Sequence, residues 1–296
     1  FFFKQKTAYE IPKRDWSSDV CSSDLTQHDV DQPAMAPFAE AAVRRRFDRV
    51  VFVSDWQRRA YRGTFGAGPL DAAIGNAMAP AFERLFADDE PVLEAKLPVP
   101  VLVYTPTPFR GLDVLLDAFP LIRARVPAAR LRVHAGLGVY QIAETEDPHR
   151  DLYARCRAMA GVDYVGPVSQ PALARSLKEA LVFAYPSTFP ETFCTSAIEA
   201  MAAGCLAVVG DLGALGETTK GLAELVPVPD DRGLYAEAFA RHLSDLLAEA
   251  SGLEARLATQ RRRLLAEATW ARRAETWSEF LLQARRGKSG ATTRNG

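Results

Sequence analysis

The sequence predicts an α/β fold built on a doubly wound parallel sheet, on three observations. Short β-branched or apolar runs alternate with helix-patterned segments from Arg49 to Val209, the order that builds right-handed βαβ units. One run, Leu181–Tyr185, is apolar at every position, as a strand covered on both faces must be. From Arg232 to Arg286 the strand signal stops, and Ala, Leu, Glu and Arg dominate, which predicts terminal helices.

Taken in order, Arg49–Val53 (RVVFV) reads as a strand, Ser54-Asp55 as a cap, and WQRRAYRGTF as a helix broken at Gly66. Ala72–Asn76 reads as another short strand, and Ala79–Asp89 as a polar connection with Pro80 and Pro91 near its ends. The main series then begins. Strands are expected at Val99–Tyr104, Arg130–His134, Val162–Val165, Leu181–Tyr185 and Leu206–Val209. Helices are expected at Gly111–Arg125, Asp151–Ala160, Gln170–Ala180 and Thr195–Ala203, the last closed by Gly204. Trp270, Trp277, Phe280 and Leu281 recur near helical spacing, which suits anchoring of terminal helices on the core. Gly287–Gly296 reads as a solvated, disordered tail.

Composition narrows the function. The 296 residues carry 36 Lys+Arg against 37 Asp+Glu, a net charge of −1, with no basic face for nucleic acid. The apolar runs are strand-length, short of the roughly 20 residues that span a bilayer. The four cysteines form no CxxC pair, against structural zinc and for a reducing compartment. Phe1–Leu25 (FFFKQKTAYEIPKRDWSSDVCSSDL) has neither helical nor strand periodicity. Back-translated, FFFKQKTAYEI and DWSSDVCSSDL resemble the constant parts of a short-read sequencing adapter. Residues 1–25 are therefore set aside as artefactual, and residues 26–296 are expected to be a fragment entered part-way through a gene.

The strongest chemical signal is Pro186–Gly204, PSTFPETFCTSAIEAMAAG. Glu191 and Glu199 flank a helix start near Thr195, so the amides of Phe193, Cys194 and Thr195 face outward from a helix N-terminus. Free amides and the positive dipole end suit a phosphate. Carboxylates repel phosphate and bind hydroxyls instead. Hydroxyls on both sides of a diphosphate describe a nucleotide sugar. In a parallel sheet such a ligand sits at the carboxyl ends of the strands, here the loops Thr105–Gly111, Ala135–Val139, Gly166–Gln170, Pro186–Ser196 and Gly210–Thr218.

The run YPSTFPETFCTSAIEAMAAGCLAVVGDLGALGET resembles the Glu-x7-Glu signature of retaining glycosyltransferases of family 4 (glycosyl transferases group 1). VYTPTPFRGLDVLLDAFPLIRARVPAAR resembles that family's donor-loop segment, and VDYVGPVSQPALARSLK fits the stretch between them. RVVFVSDWQRRAY and AIGNAMAPAFERLF more weakly resemble the end of its N-terminal domain and the crossing between domains. The resemblance implies a Rossmann-like donor domain over 94–230, a remnant of an acceptor-side domain over 26–93, C-terminal helices over 231–286 and the tail 287–296. It implies transfer of a hexosyl group from a nucleoside diphosphate sugar to an unidentified sugar, lipid or polysaccharide acceptor, with no metal and no cofactor. A cytoplasmic location follows, with peripheral membrane association through the N-terminal domain as an option.

Residue by residue, the resemblance gives Glu191 the hydroxyls of the transferred sugar, Glu199 the ribose, and Phe193, Cys194 and Thr195 the sugar and phosphate oxygens. Arg110 would neutralise the diphosphate as it leaves. Thr107 and Gly136 would approach the donor, with Gly138 in the same loop as Gly136, and Pro167 and Val168 would line the base. One departure stands out: such loops carry a second basic residue shortly before Arg110, where this chain has Thr105 and Thr107. His28, in TQHDVDQ, either matches a His-Asp element that touches the donor sugar or is an ordinary loop histidine. His134 reads as a core residue and the cysteines as buried thiols, while Glu217 either caps a helix or touches the acceptor. An epimerase or phosphorylase of the same architecture, or a non-catalytic nucleotide-sugar-binding module, are the alternative functions.

Overall fold

The computed structural model describes residues 23–26, 30–31, 33–47, 49–66, 72–87, 89–137, 142, 144–249 and 251–292. His28 and Gly138 lie outside the described residues. The chain first builds a small sheet from β1 (Ser23–Thr26), α1 (Ala41–Arg44), β2 (Arg49–Phe52), α2 (Asp55–Phe65) and β3 (Ala72–Ala73). Its strands run parallel in the order β1-β2-β3. Val50, Val51 and Phe52 are buried, and Ser54 starts α2 by accepting a hydrogen bond from the Gln57 amide.

The second sheet alternates with helices throughout: β4 (Val101–Tyr104), α3 (Leu112–Arg125), β5 (Arg130–Val133), α4 (Arg150–Ala158), β6 (Val162–Tyr164), α5 (Gln170–Glu179), β7 (Val182–Tyr185), α6 (Thr195–Ala202), β8 (Leu206–Gly210), α7 (Leu215–Thr218) and β9 (Glu224–Val226). All its pairings are parallel, in the order β6-β5-β4-β7-β8-β9. The chain winds outward from β4 to β6, then returns to the other side of β4 as β7. That reversal is a topological switch point, where the loops leaving two adjacent strands diverge and open a crevice. Central strands β4, β7 and β8 are buried at every position, as a sheet covered on both faces requires.

Three helices close the chain: α8 (Arg232–Ala248), α9 (Leu253–Glu267) and α10 (Trp270–Thr292). Helix α8 packs on α3, and α9 on α6. Helix α10 instead returns to the small sheet, where Phe280 joins Val51 and Ile74, with Trp277 packed alongside. Trp277 and Phe280 therefore anchor the helix as the spacing predicts, on the first sheet rather than the second, whereas Leu281, expected to do the same, faces solvent.

The elements expected from Arg49 to Val209 are found, with ends shifted by a residue or two; only Ala72–Asn76 contracts to the two-residue β3. Four differences have physical reasons. Ser23–Leu25 pair with Arg49–Val51 although the segment lacks strand periodicity, because backbone pairing with a formed strand does not depend on side-chain alternation. The connection Ala79–Asp89 is less polar than its composition suggests: Phe82 within it, like Met78 just before it, is fully buried in the main core. Strand β9 has only three residues, too few for a periodic signal. Helix α10 continues through Thr292 into the stretch read as a tail, because extending a formed helix costs far less than starting one.

Candidate functional site

At the switch point the loops leaving β4 and β7 are stitched together. The Thr188 amide donates to the Arg110 carbonyl at 3.3 Å. Gly111 has φ 116°, and a Cβ there would lie 2.0 Å from the Pro186 carbonyl oxygen, so glycine alone permits this approach. The stitching brings Arg110 against Glu191. Arg110 Nη1 donates to both carboxylate oxygens, at 2.8 and 2.9 Å, while the Tyr185 hydroxyl donates to Oε1 at 2.6 Å. The Glu191 side chain is 4% exposed and that of Arg110 25%, so the guanidinium keeps an open side toward the crevice. Its plane lies over the Phe189 ring, 4.4 Å from the centroid.

Glu191 is also fixed through its backbone. The Ala214 amide donates to its carbonyl at 2.7 Å. Gly213, at φ 64°, lies so close that a Cβ would sit 2.5 Å from the Glu191 nitrogen.

Thr107 borders the same crevice, its carbonyl accepting from the Tyr104 hydroxyl at 2.9 Å. The Thr105 and Thr107 hydroxyls are buried and have no hydrogen-bond partner among the described residues. Cys194 caps α6 by position but with no side-chain cap bond. Among the described residues nothing accepts from the amides of Phe193, Cys194 or Thr195, so the helix end is open, as an end that could receive an anion must be. The Cys194 thiol is pushed well above its ordinary pKa by burial and by Glu191, which keeps it protonated and a poor nucleophile.

Glu199 lies inside α6, one turn beyond those amides. Its carboxylate accepts from the Ala79 amide at 3.1 Å, on the segment that joins the two sheets. Only 5% exposed, it has its pKa raised by desolvation to about 7. Gly136, Pro167 and Val168 lie together at the ends of β5 and β6: the Pro167 ring sits where a Cβ on Gly136 would be, at 2.6 Å, and Val168 is exposed. His134 has Nε2 2.8 Å from the Ser176 hydroxyl, and burial lowers its pKa to about 4, the core role its position in the strand implied. Of the two readings of Glu217 the structure shows the helix cap, since its carboxylate accepts from the Asp55 and Trp56 amides.

The structure thus gathers Arg110, Glu191 and Thr107 at the switch point, with the Phe193–Thr195 amides on the same β7–α6 connection as Glu191. It places Gly136, Pro167 and Val168 on the β5–β6 side and Glu199 at the crossing between sheets. Tyr185 and Phe189, which clamp the Glu191–Arg110 pair, escaped sequence reasoning. Tyr185 was legible only as the last residue of a buried strand, and nothing in its spacing shows that its hydroxyl meets a carboxylate six residues later. Among the described residues no group of His, Cys, Asp and Glu is placed to hold a metal ion, and no helix is long and apolar enough to cross a membrane.

Comparison with known proteins bears on the fold and the family. Phosphatidyl-myo-inositol mannosyltransferase of Mycobacterium tuberculosis is 32% identical over 142 residues, covering 47% of this chain and 35% of the relative. Its Mycolicibacterium smegmatis counterpart is 28% identical over 209 residues, 70% of this chain and 50% of the relative. The chain therefore spans between about a third and a half of the length of these curated relatives. Among solved structures, Anabaena Alr3699/HepE in complex with UDP and glucose aligns over 88% of this chain and 71% of its own, with TM-score 0.65 and 15% identity, a likeness of fold. The family model described as "Glycosyl transferases group 1" matches residues 100–249, a span that opens at β4, contains the switch point and ends after α8. Since that match takes in half of the sequence and all of the large sheet, the chain belongs to the glycosyl transferases group 1 family.

Proposed function

We propose that the chain supplies the donor-binding half of a retaining glycosyltransferase, which moves a hexosyl group from a nucleoside diphosphate sugar to a sugar, lipid or polysaccharide acceptor. The observation that carries this reading is the Arg110–Glu191 pair at the switch point, on the connection that ends in the open amides of α6. In the free protein the two charges satisfy each other. An arriving donor offers each a better-matched partner: the diphosphate competes for the guanidinium, and the sugar hydroxyls donate to the carboxylate. Arg110 and the α6 amides then stand where negative charge grows as the glycosidic C–O bond breaks. The unpartnered Thr105 and Thr107 hydroxyls offer neutral donors where the family places a second cation.

Glu199 takes the ribose hydroxyls in this reading, Pro167 and Val168 the base, and no metal ion or organic cofactor has a role. The names of the matched relatives favour transfer over epimerisation or phosphorolysis. A cytoplasmic site of action, with or without peripheral attachment to a membrane, is compatible with it.

Calorimetric titration of UDP-, GDP- and ADP-sugars into the full chain tests the proposal. One nucleotide series is expected to bind, and Glu199→Ala to weaken it by tenfold or more, the scale of a lost charged hydrogen bond. Binding by none of the three, or binding untouched by the substitution, contradicts it.

A further inference from the structure

The contact made by Glu217 crosses from one sheet's system to the other. Its Oε1 accepts from the Asp55 amide at 2.5 Å and its Oε2 from the Trp56 amide at 2.9 Å. These are the first two residues of α2, so one carboxylate satisfies two amides that have no partner within the helix. Ser54 serves a different amide of the same end, that of Gln57. The end is thus capped twice, once from its own strand and once from 161 residues further along the chain. The charges around the contact include Asp55, paired with Arg58 at 2.5 Å, Arg59, 4.0 Å from Glu217, and Lys220 and Arg273, which line the same cavity. Glu217 carries its negative charge to the positive end of the helix dipole even though Asp55 already stands there.

Glu217 belongs to α7, which also touches the donor site. The segment Gly213–Ala214, at the start of α7, holds the backbone of Glu191, and the Thr218 amide donates to the Ala214 carbonyl at 2.7 Å. One tight helical turn therefore grips Glu191 at one end and the N-terminus of α2 at the other. Beside the N-terminus of α2 lies a cavity lined by Asp55, Phe193, Glu217, Lys220 and Arg273 among others.

We propose that Glu217 is a positioning residue that ties the Glu191 loop to the N-terminus of α2 through α7, and so fixes the small sheet relative to the donor site. The proposal rests on the donor-site reading above for what the tie serves. The contact itself does not depend on it. A donor that draws Glu191 toward its sugar pulls on the Ala214 amide, and α7 passes that shift to α2 as a rigid turn.

Amide hydrogen exchange at Asp55 and Trp56 in the full chain tests it, with wild type, Glu217→Ala and Glu217→Gln compared with and without UDP or GDP. In wild type both amides are expected to be protected, and further protected by the nucleotide. Glu217→Ala is expected to speed exchange at both by roughly tenfold, in line with a lost charged helix cap, and to abolish the response to nucleotide. Glu217→Gln, with one acceptor oxygen, is expected to keep one amide protected and release the other, a signature that general loosening does not produce. Wild-type exchange in both variants overturns the proposal, as does equal acceleration across all of α2. If no nucleotide binds wild type, the donor reading fails, while the nucleotide-free comparison still decides the latch.

Discussion

Arg110 and Glu191 show why a site residue cannot be understood alone. The carboxylate is buried, and removing the guanidinium would leave it with one neutral donor, a change that costs about 3 kcal/mol where such pairs are broken. Glu199 is the converse case, a buried carboxylate with a single amide as its described partner and no cation. Its raised pKa means that between about 4.5 and about 7 the folded chain binds more protons than the unfolded one. Stability therefore falls as pH rises through that window, by about 3 kcal/mol in all. Glu199→Gln, neutral in both states, is expected to flatten the slope, and urea midpoints measured from pH 4.5 to 8 check it. An unchanged slope would show that folding does not raise the Glu199 pKa.

Among the elements, those with internal periodicity were legible in the sequence. The run LDVLLDAFPLIRAR of α3 shows the face it buries, and VFAY of β7 shows that both its faces are covered. Strand β9 was not legible, because its place is set by hydrogen bonds to β8 rather than by its own pattern. The same limit hid the destination of α10: Trp277 and Phe280 announce an anchored helix but not the sheet that receives it. Phe280 packs on Val51 and Ile74 and lies under the Arg49 guanidinium. Phe280→Ala is expected to cost about 3 kcal/mol locally and to expose β2 to limited proteolysis, while nucleotide affinity holds within about twofold. Proteolysis spreading equally through the large sheet would show that the two sheets do not loosen separately.

On the scale of the whole molecule, the chain passes between its two systems twice, and the crossings touch. The Met78 amide donates to the Ala268 carbonyl at 2.9 Å, and Arg273 Nε to the Asn76 carbonyl at 3.2 Å. Glu199 holds the first crossing through Ala79, and Glu217 holds α2 from the far side of α7. Glu199, which the sequence marks as chemistry, thus also ties the molecule together. That double duty could not be read from spacing, which places Glu191 and Glu199 near one helix start but gives no sign of what lies across from it. The strand order was equally hidden, since alternation of strands and helices predicts a parallel sheet without saying where the winding reverses. Once the reversal falls between β4 and β7, the meeting of Arg110 with Glu191 follows from topology. With a net charge of −1 the chain carries no excess of basic residues, and in the proposed reading a diphosphate is held by that arginine and the α6 amides.

The most direct test of that claim is the difference in calorimetric affinity between a nucleoside diphosphate and its monophosphate, in wild type and in Arg110→Ala. Wild type is expected to prefer the diphosphate by tenfold or more, and the substitution to erase the preference while monophosphate binding persists. A preference that survives loss of Arg110 would place the diphosphate elsewhere and contradict the account.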